Sequence, residues 1–314
     1  FKSEFKGVSL SIYPNKAADF LVENKIKGNF FNDFNSGAYL LGRCFPDVKV
    51  FIDGRTEVYG GKFFTDKYQP VWEKGDAKVF DEVVNAYGIS GIFLNATNQH
   101  IPRNILRLVY GRKEWIPVYF DYDAVIFLKD IPENKSYIDK LVIDWKKIEP
   151  KVYDLEKLAF TRVYPYHNYY RAFTLEALDL DEAALKEIKE GLKVAADYGD
   201  LYLLRGKVLA KGRDFERAFQ SFRMASSFMP DSKEVRFNLA LCYLDMGRYE
   251  SAIKSYQELI KSWPAETRSY FLLAKAYVLN NQFEQSVVSV KNGLHHDPQA
   301  IRDTVDIGNI LMEK

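Results

Sequence analysis

Apolar residues recur along this chain with two different rhythms, and the change of rhythm divides it. Between residues 15 and 130 they come as short β-branched and aromatic runs separated by amphipathic stretches. That pattern predicts helix over 17–24, strand over 28–31, helix over 37–43 and strand over 48–52. Helical segments over 63–72 and 79–87 follow, then strand 91–94, helix 102–110, and strands 116–120 and 124–128. Asp121 and Tyr122 would turn the last pair into a hairpin. Strands alternating with helices imply an α/β layered domain over 1–135, with a mainly parallel sheet and an antiparallel edge hairpin. Residues 136–164 read as a connecting segment. Beyond them the apolar positions return every three to four residues without a strand-like run, which predicts an all-α region over 165–314.

That region repeats itself. Pro230, Pro264 and Pro298 are spaced by 34 residues, and each interval reads as two amphipathic helices with small residues where helices must approach. The unit 233–266 carries Leu239, Ala240, Tyr243, Gly247, Tyr249, Ala252, Tyr256 and Pro264. The unit 199–232 matches it at Gly206, Gly212, Phe215, Ala218, Phe222, Ala225 and Pro230. The unit 267–300 does so at Tyr270, Leu273, Ala274, Tyr277 and Pro298, with Ser286 in place of an alanine. One period earlier, Ala172, Ala184 and Gly191 outline a degenerate unit over 165–198 that has Ala196 instead of its proline. Residues 300–314 read as a capping helix. These positions and this period resemble the tetratricopeptide-repeat family over nearly half the chain.

The resemblance implies a solenoid whose first helices line a groove for a protein or peptide. The matching positions are Leu203, Lys207, Lys211, Phe237, Asn238, Leu241, Leu244, Arg268, Phe271, Lys275 and Val278. Alternating basic and apolar groups would suit a segment with an apolar stripe and carboxylates. Family members that clamp a terminal carboxylate use a fixed set of Lys, Asn and Arg. Asn238 and Arg268 match that set, but Leu203 and Leu272 stand at two of its other places, so an internal segment fits better than a bare chain end. The alternative is that Phe237, Leu241, Phe271 and Val278 are filled by the chain's own elements.

In the first half, the run FNDFNSGAYL at 31–40 and the run KVFIDGR at 49–55, followed by Tyr59, carry a second resemblance. With the closing runs at 115–121 and 124–128, they are similar over about 12–130 to the extracytoplasmic soluble region of bacterial polytopic glycosyltransferase-like membrane proteins. The transferases in question depend on lipid-linked sugars. This implies a non-catalytic soluble region of a membrane protein at the periplasmic face of the inner membrane. It implies attachment through residues preceding Phe1, and a glycan or lipid-linked acceptor reached through that parent. Two other readings stand beside it: a freestanding protein-binding scaffold, and an independent enzyme acting on a small or sugar-containing substrate through Asp33, Asp53 and Arg55.

Asn32, Asp33, Asp53, Arg55 and Tyr59 fall just past two expected strands, where open α/β sheets place ligands. The same residues also read as fold chemistry, with Asp33 and Asn35 capping the next helix and Arg55 pairing with an aspartate. Charge adds little: 44 basic against 43 acidic residues give no field that would attract nucleic acid. Two cysteines, Cys44 and Cys242, stand far apart in the sequence and indicate no disulfide framework. Gly60-Gly61-Lys62 lacks the rest of a phosphate-binding loop, and no dinucleotide fingerprint or nucleophile elbow is present. His295 and His296 lack companions at metal-site spacing, and His100 and His167 stand apart, so no cofactor or metal is expected. The aromatic group Tyr164, Tyr166, Tyr169, Tyr170 and Phe173 reads as packing at the junction between the halves.

Overall fold

The computed structural model describes residues 13–97, 101–154 and 164–300, and the chain divides into two compact units after Val194. The capping helix expected beyond residue 300 lies outside the described residues.

Among its described residues the first unit is built on five strands: β1 (Gly28–Asn32), β2 (Val48–Val50), β3 (Ile89–Asn95), β4 (Trp115–Phe120) and β5 (Ala124–Lys129). They lie in the order β2-β1-β3-β5-β4. Helices α1 (Asn15–Glu23), α2 (Phe34–Cys44), α3 (Ala77–Ala86), α4 (Arg103–Tyr110) and α5 (Lys135–Leu141) accompany them, with short helical turns between Thr56 and Trp72. Strand alternation sends neighbouring residues to opposite faces. Phe31, Ile92, Val125 and Phe127 pack with α3 and α4 on one side, while Phe30, Phe93, Ile126 and Leu128 pack with α1 and α2 on the other. The result is a three-layer sandwich.

The sheet bears out part of the expectation. The β1–β2 and β1–β3 pairings are parallel and the β4–β5 hairpin stands at the edge, but β3–β5 and β4–β5 are antiparallel, so the sheet is mixed. After α4 the chain lays β4 one strand-width away from β3. The tight turn at 121–123 then folds β5 back into the gap. The reversed strand is therefore internal, and the edge strand β4 runs in the direction of β1 to β3.

Two joints in this unit depend on contacts from far along the chain. No side chain of its own caps α1. Asp123 supplies the cap from the β4–β5 turn, its Oδ2 accepting from Ala17 N at 2.9 Å while Tyr119 Oη donates to Oδ1 at 2.8 Å. The second joint is Gly37, where α2 runs so close to the chain leaving β2 that an added Cβ would lie 2.0 Å from Ile52 O and 2.8 Å from Asp53 Cα.

The helical pair α6 (Tyr166–Ala177) and α7 (Asp181–Val194), expected as the degenerate repeat, belongs to this first unit. Arg171 Nε donates to Glu187 Oε1 at 2.5 Å, and its guanidinium also reaches Glu149 O at 2.8 Å and lies over the Phe120 ring at 4.7 Å. Glu187 Oε2 accepts from Asn168 Nδ2 at 2.7 Å and Lys151 N at 3.1 Å. On α4, Arg103 pairs with buried Glu176, and Arg107 Nε donates to Ala177 O at 2.8 Å. The junction aromatics join the same packing, Tyr166 meeting Tyr122 edge-on and Tyr169 meeting Phe173. His167 stacks on Tyr122 at 3.8 Å, and burial pushes its imidazole pKa down to about 4.

Among its described residues the second unit contains three helical hairpins: α8 (Gly199–Lys211) with α9 (Phe215–Phe228), α10 (Lys233–Asp245) with α11 (Tyr249–Ser262), and α12 (Thr267–Leu279) with α13 (Phe283–His296). Small residues allow the close approaches, as at Gly206, where a Cβ would meet the Phe222 ring at 2.4 Å. The residue that closes each hairpin has left-handed backbone, at Arg213 (φ 62°), Gly247 (φ 72°) and Asn281 (φ 60°). Asp179, between α6 and α7, has φ 61° and stands 34 residues before Arg213. The helical pair in the first unit thus keeps the repeat's turn geometry although its sequence has drifted.

Ser286 holds the place of Ala218 and Ala252, and its Oγ is buried without a hydrogen-bond partner. Removing an unsatisfied buried hydroxyl relieves a desolvation penalty. Ser286→Ala is therefore expected to raise the unfolding free energy of this unit by about 1 kcal/mol, read as a higher denaturant midpoint at the Trp263 fluorescence signal with an unchanged slope.

Candidate functional site

The residues singled out in the first unit fall into two closed sets at the carboxyl end of the sheet. Asn32 Oδ1 accepts from Phe51 N at 2.9 Å, and its Nδ2 donates to Asp33 O at 2.7 Å and Ile52 O at 2.8 Å. It is a clamp between β1 and the end of β2. Asp33 caps α2, accepting from Ser36 N at 2.9 Å and Ser36 Oγ at 2.5 Å. Burial raises its pKa, opposed by hydrogen bonds from Ser36, Asn35 and Asn95. Asp53, also buried, accepts from Arg55 N at 3.0 Å, Nε at 2.9 Å and Nη2 at 2.5 Å. The Arg55 hydrogen bond holds its carboxyl below the usual range, with Tyr59 contributing a further bond.

Proton chemistry on a substrate needs a group that can reach it. Asp33 and Asn32 are fully withdrawn from solvent, and Asp53 is 1% exposed. These contacts fix loops and a helix start. Gly60, at φ 71°, separates two short helical segments, and Gly61 and Lys62 begin the second of them. Among the described residues no group of three or more His, Cys, Asp or Glu side chains could hold a metal ion.

In the repeats, the structure separates the expected groove residues into buried and accessible ones. Leu203 and Leu244 lie in the core, as do Phe271 and Val278. Phe271 sinks toward α13 because Gly293 leaves room for its ring, and Val290 and Leu294 complete the contact. The chain's own helix therefore takes this aromatic. Leu241 is half-buried between hairpins. Lys207 pairs with Glu234, whose backbone carbonyl accepts from Asn238 Nδ2 at 2.7 Å.

What remains accessible centres on Arg268. Its guanidinium lies 5.0 Å from the Phe237 ring, which in turn meets Tyr256 edge-on at 6.2 Å. No carboxylate among the described residues pairs with Arg268. Lys275, half-buried, faces Asp245, whose carboxyl is raised by burial and lowered in part by Lys275. Lys211 is exposed at the end of α8. The surface thus presents a stacked guanidinium with polar neighbours and a narrower apolar stripe than the sequence implied.

One concavity was not expected. A cleft of about 510 Å3 lies between α11, α12 and α13, floored by Ile260, Leu273 and Tyr277 and edged by Lys261, Glu284 and Val288. None of the groove residues lines it. Its only sequence signal is Val288, 57% exposed on an otherwise polar face of α13.

A family model described as tetratricopeptide repeat matches residues 224–264 and 237–289. The rice (Oryza sativa subsp. japonica) U-box domain-containing protein 70 is 25% identical over 130 residues, covering 41% of this chain and 16% of that protein. The chain thus spans about one sixth of that relative's length. Among solved structures, MamA from Desulfovibrio magneticus RS-1 is 20% identical with a TM-score of 0.44, covering 52% of this chain and 87% of that one. A thermophilic tetratricopeptide protein of Thermus thermophilus is 18% identical with a TM-score of 0.41, covering 50% and 87%. The C-terminal part is a helical tetratricopeptide solenoid, as its period, its turns and the family model agree. The resemblance of residues 12–130 to glycosyltransferase-like membrane proteins receives no support from these matches. No helix among the described residues is long and apolar enough to cross a membrane.

Proposed function

We propose that the chain is a protein-binding scaffold whose repeat half takes an extended or helical segment of a partner along α8, α10 and α12. The observation that carries this reading is Arg268, an exposed guanidinium laid on Phe237 without an acidic partner among the described residues. A guanidinium already fixed on an aromatic ring loses little freedom on binding, and it recognises carboxylate in a planar, two-pronged way. Lys275 and Asn238 extend the polar edge, so the partner segment carries acidic residues beside a short apolar stretch. Phe271 and Leu203 are core residues and add nothing to the contact.

The test is selection of peptides from a random library on the immobilised chain. Enriched acidic sequences should bind about tenfold or more weaker to Arg268→Glu, the loss of one charge-assisted hydrogen-bonded contact. The variant's unfolding midpoint should be unchanged. Peptides that bind Arg268→Glu as well as the parent would remove the groove reading.

A second reading keeps the scaffold but makes it the extracytoplasmic part of a membrane glycosyltransferase-like protein. Its support is that the two runs bearing the resemblance, 31–40 and 49–55, form one interlocked joint through Asn32 and Gly37. Roughly ten hydrophobic spans encoded upstream of Phe1, each about 20 residues long, would favour it. Their absence would leave the scaffold alone.

A further inference from the structure

One guanidinium in the repeats, without a carboxylate partner among the described residues, stands where its sister repeats have leucine. Arg205 in α8 occupies the place held by Leu239 and Leu273, 34 and 68 residues further on. Its Nε donates to Ser221 Oγ at 2.9 Å, and that hydroxyl donates onward to Arg217 O at 2.8 Å. The guanidinium lies over the Tyr202 ring at 4.9 Å. Tyr202 is itself fixed, its hydroxyl donating to Ala196 O at 3.1 Å and its ring stacking on Phe228 at 5.8 Å.

With Nε engaged and the plane stacked, the two Nη groups remain as a rigid fork. Among the described residues no carboxylate pairs with them. The neighbouring charge is instead another cation, Arg217, whose own partner is Asp214 at 3.1 Å. Burial, and then the charge on Arg217, lower the pKa of Arg205 from its ordinary value. A half-buried cation beside a second cation is an arrangement that a bound anion stabilises.

We propose that Arg205, Arg217 and Tyr202 form a site for a phosphate-class oxyanion, received end-on by the Arg205 Nη pair. A phosphate monoester fits better than a carboxylate, because its several oxygens accept from both Nη groups simultaneously, with Arg217, already paired to Asp214, adding a second cation beside the fork. The site is independent of the Arg268 surface and does not rest on the scaffold reading.

Thermal unfolding of the full chain in phosphate-free buffer tests it, with inorganic phosphate, O-phosphoserine, and sodium chloride at matched ionic strength as the three additions. A saturable rise in midpoint of roughly 2–4 °C is expected from the phosphate compounds and not from chloride. It should shrink in Arg217→Gln and vanish in Arg205→Leu, which keeps the fold because leucine is the residue of the other two repeats. A rise with O-phosphoserine alone assigns the site to esterified phosphate, and an equal rise with both assigns it to the free ion. No rise beyond chloride, or the same rise in Arg205→Leu, overturns the proposal.

Discussion

Gly37→Ala is expected to destabilise the sheet-containing unit by about 3 kcal/mol or more, seen as a lower denaturant midpoint at its tryptophans Trp72, Trp115 and Trp145. The new methyl group would sit 2.0 Å from Ile52 O, and that neighbour is main chain, which cannot swing aside as a flexible side chain could. Either α2 or the segment after β2 must move. Both are tied to Asn32, whose amide holds Ile52 O at 2.8 Å and Phe51 N at 2.9 Å, so movement of one breaks the clamp on the other. Gly42→Ala, on the same helix with nothing within 4 Å of its would-be Cβ, serves as the control. It should be neutral or slightly stabilising through helix propensity. A Gly37→Ala protein as stable as the parent would show that α2 does not approach β2 this closely.

Arg171→Leu is the second large effect, about 3–5 kcal/mol, because it strands a carboxylate in the interior. The Glu187 side chain is fully buried and that of Arg171 is 11% exposed. Asn168 and Lys151 still hydrogen-bond Glu187, but neither carries charge to the carboxylate at those contacts. The double change Arg171→Leu with Glu187→Leu should recover most of the loss, since an apolar pair avoids both desolvation penalties.

The pH dependence distinguishes this from simple loss of packing. Burial already raises the pKa of Glu187 above its ordinary 4.5, with Arg171 acting against it. A carboxyl raised in the folded state binds its proton more tightly there than in the unfolded chain. Its stabilising contribution is complete below pH 4.5 and fades as pH climbs through the folded pKa. Without Arg171 that pKa rises further, so Arg171→Leu should regain stability on acidification from neutral pH. A deficit independent of pH would instead point to lost contacts with the Phe120 ring.

These two sites show what the sequence could and could not reveal. The repeats were legible because their constraint is local and recurrent: proline after each second helix and alanine or glycine at each close approach. The strands were legible as apolar runs, yet β5 reads the same whichever way it points, and its slot between β3 and β4 is fixed only by pairing partners. Arg171 and Glu187 look like the solvent face of amphipathic helices. Nothing nearby in sequence says that Asp121, Glu149 and Lys151 will close over them. Asp123 likewise caps a helix 106 residues away.

The candidate site was half legible for the same reason. Repeat register placed Phe237 and Phe271 at equivalent positions, but their exposure depends on the opposing residue. Tyr256 keeps the first ring near the surface, while Gly293 admits the second. Arg205 could be found only by comparing repeats, where a charge replaces leucine. That no carboxylate among the described residues pairs with it needed the packed hairpin.

The left-handed turn at Asp179 bears on where this chain can be cut. By rhythm the pair α6 and α7 is the first repeat, but by contact it is part of the sheet unit, locked there by Arg171, Arg103 and Arg107. A fragment begun at the repeat boundary near residue 165 would keep Arg171 with Glu187, but it would take Glu176 from Arg103 and Asp179 from Arg107, and would strip Arg171 of Glu149 O and the Phe120 ring. A fragment begun at Ala195 severs none of these pairs. Expression trials that follow sequence periodicity would thus choose the more damaging of two adjacent boundaries.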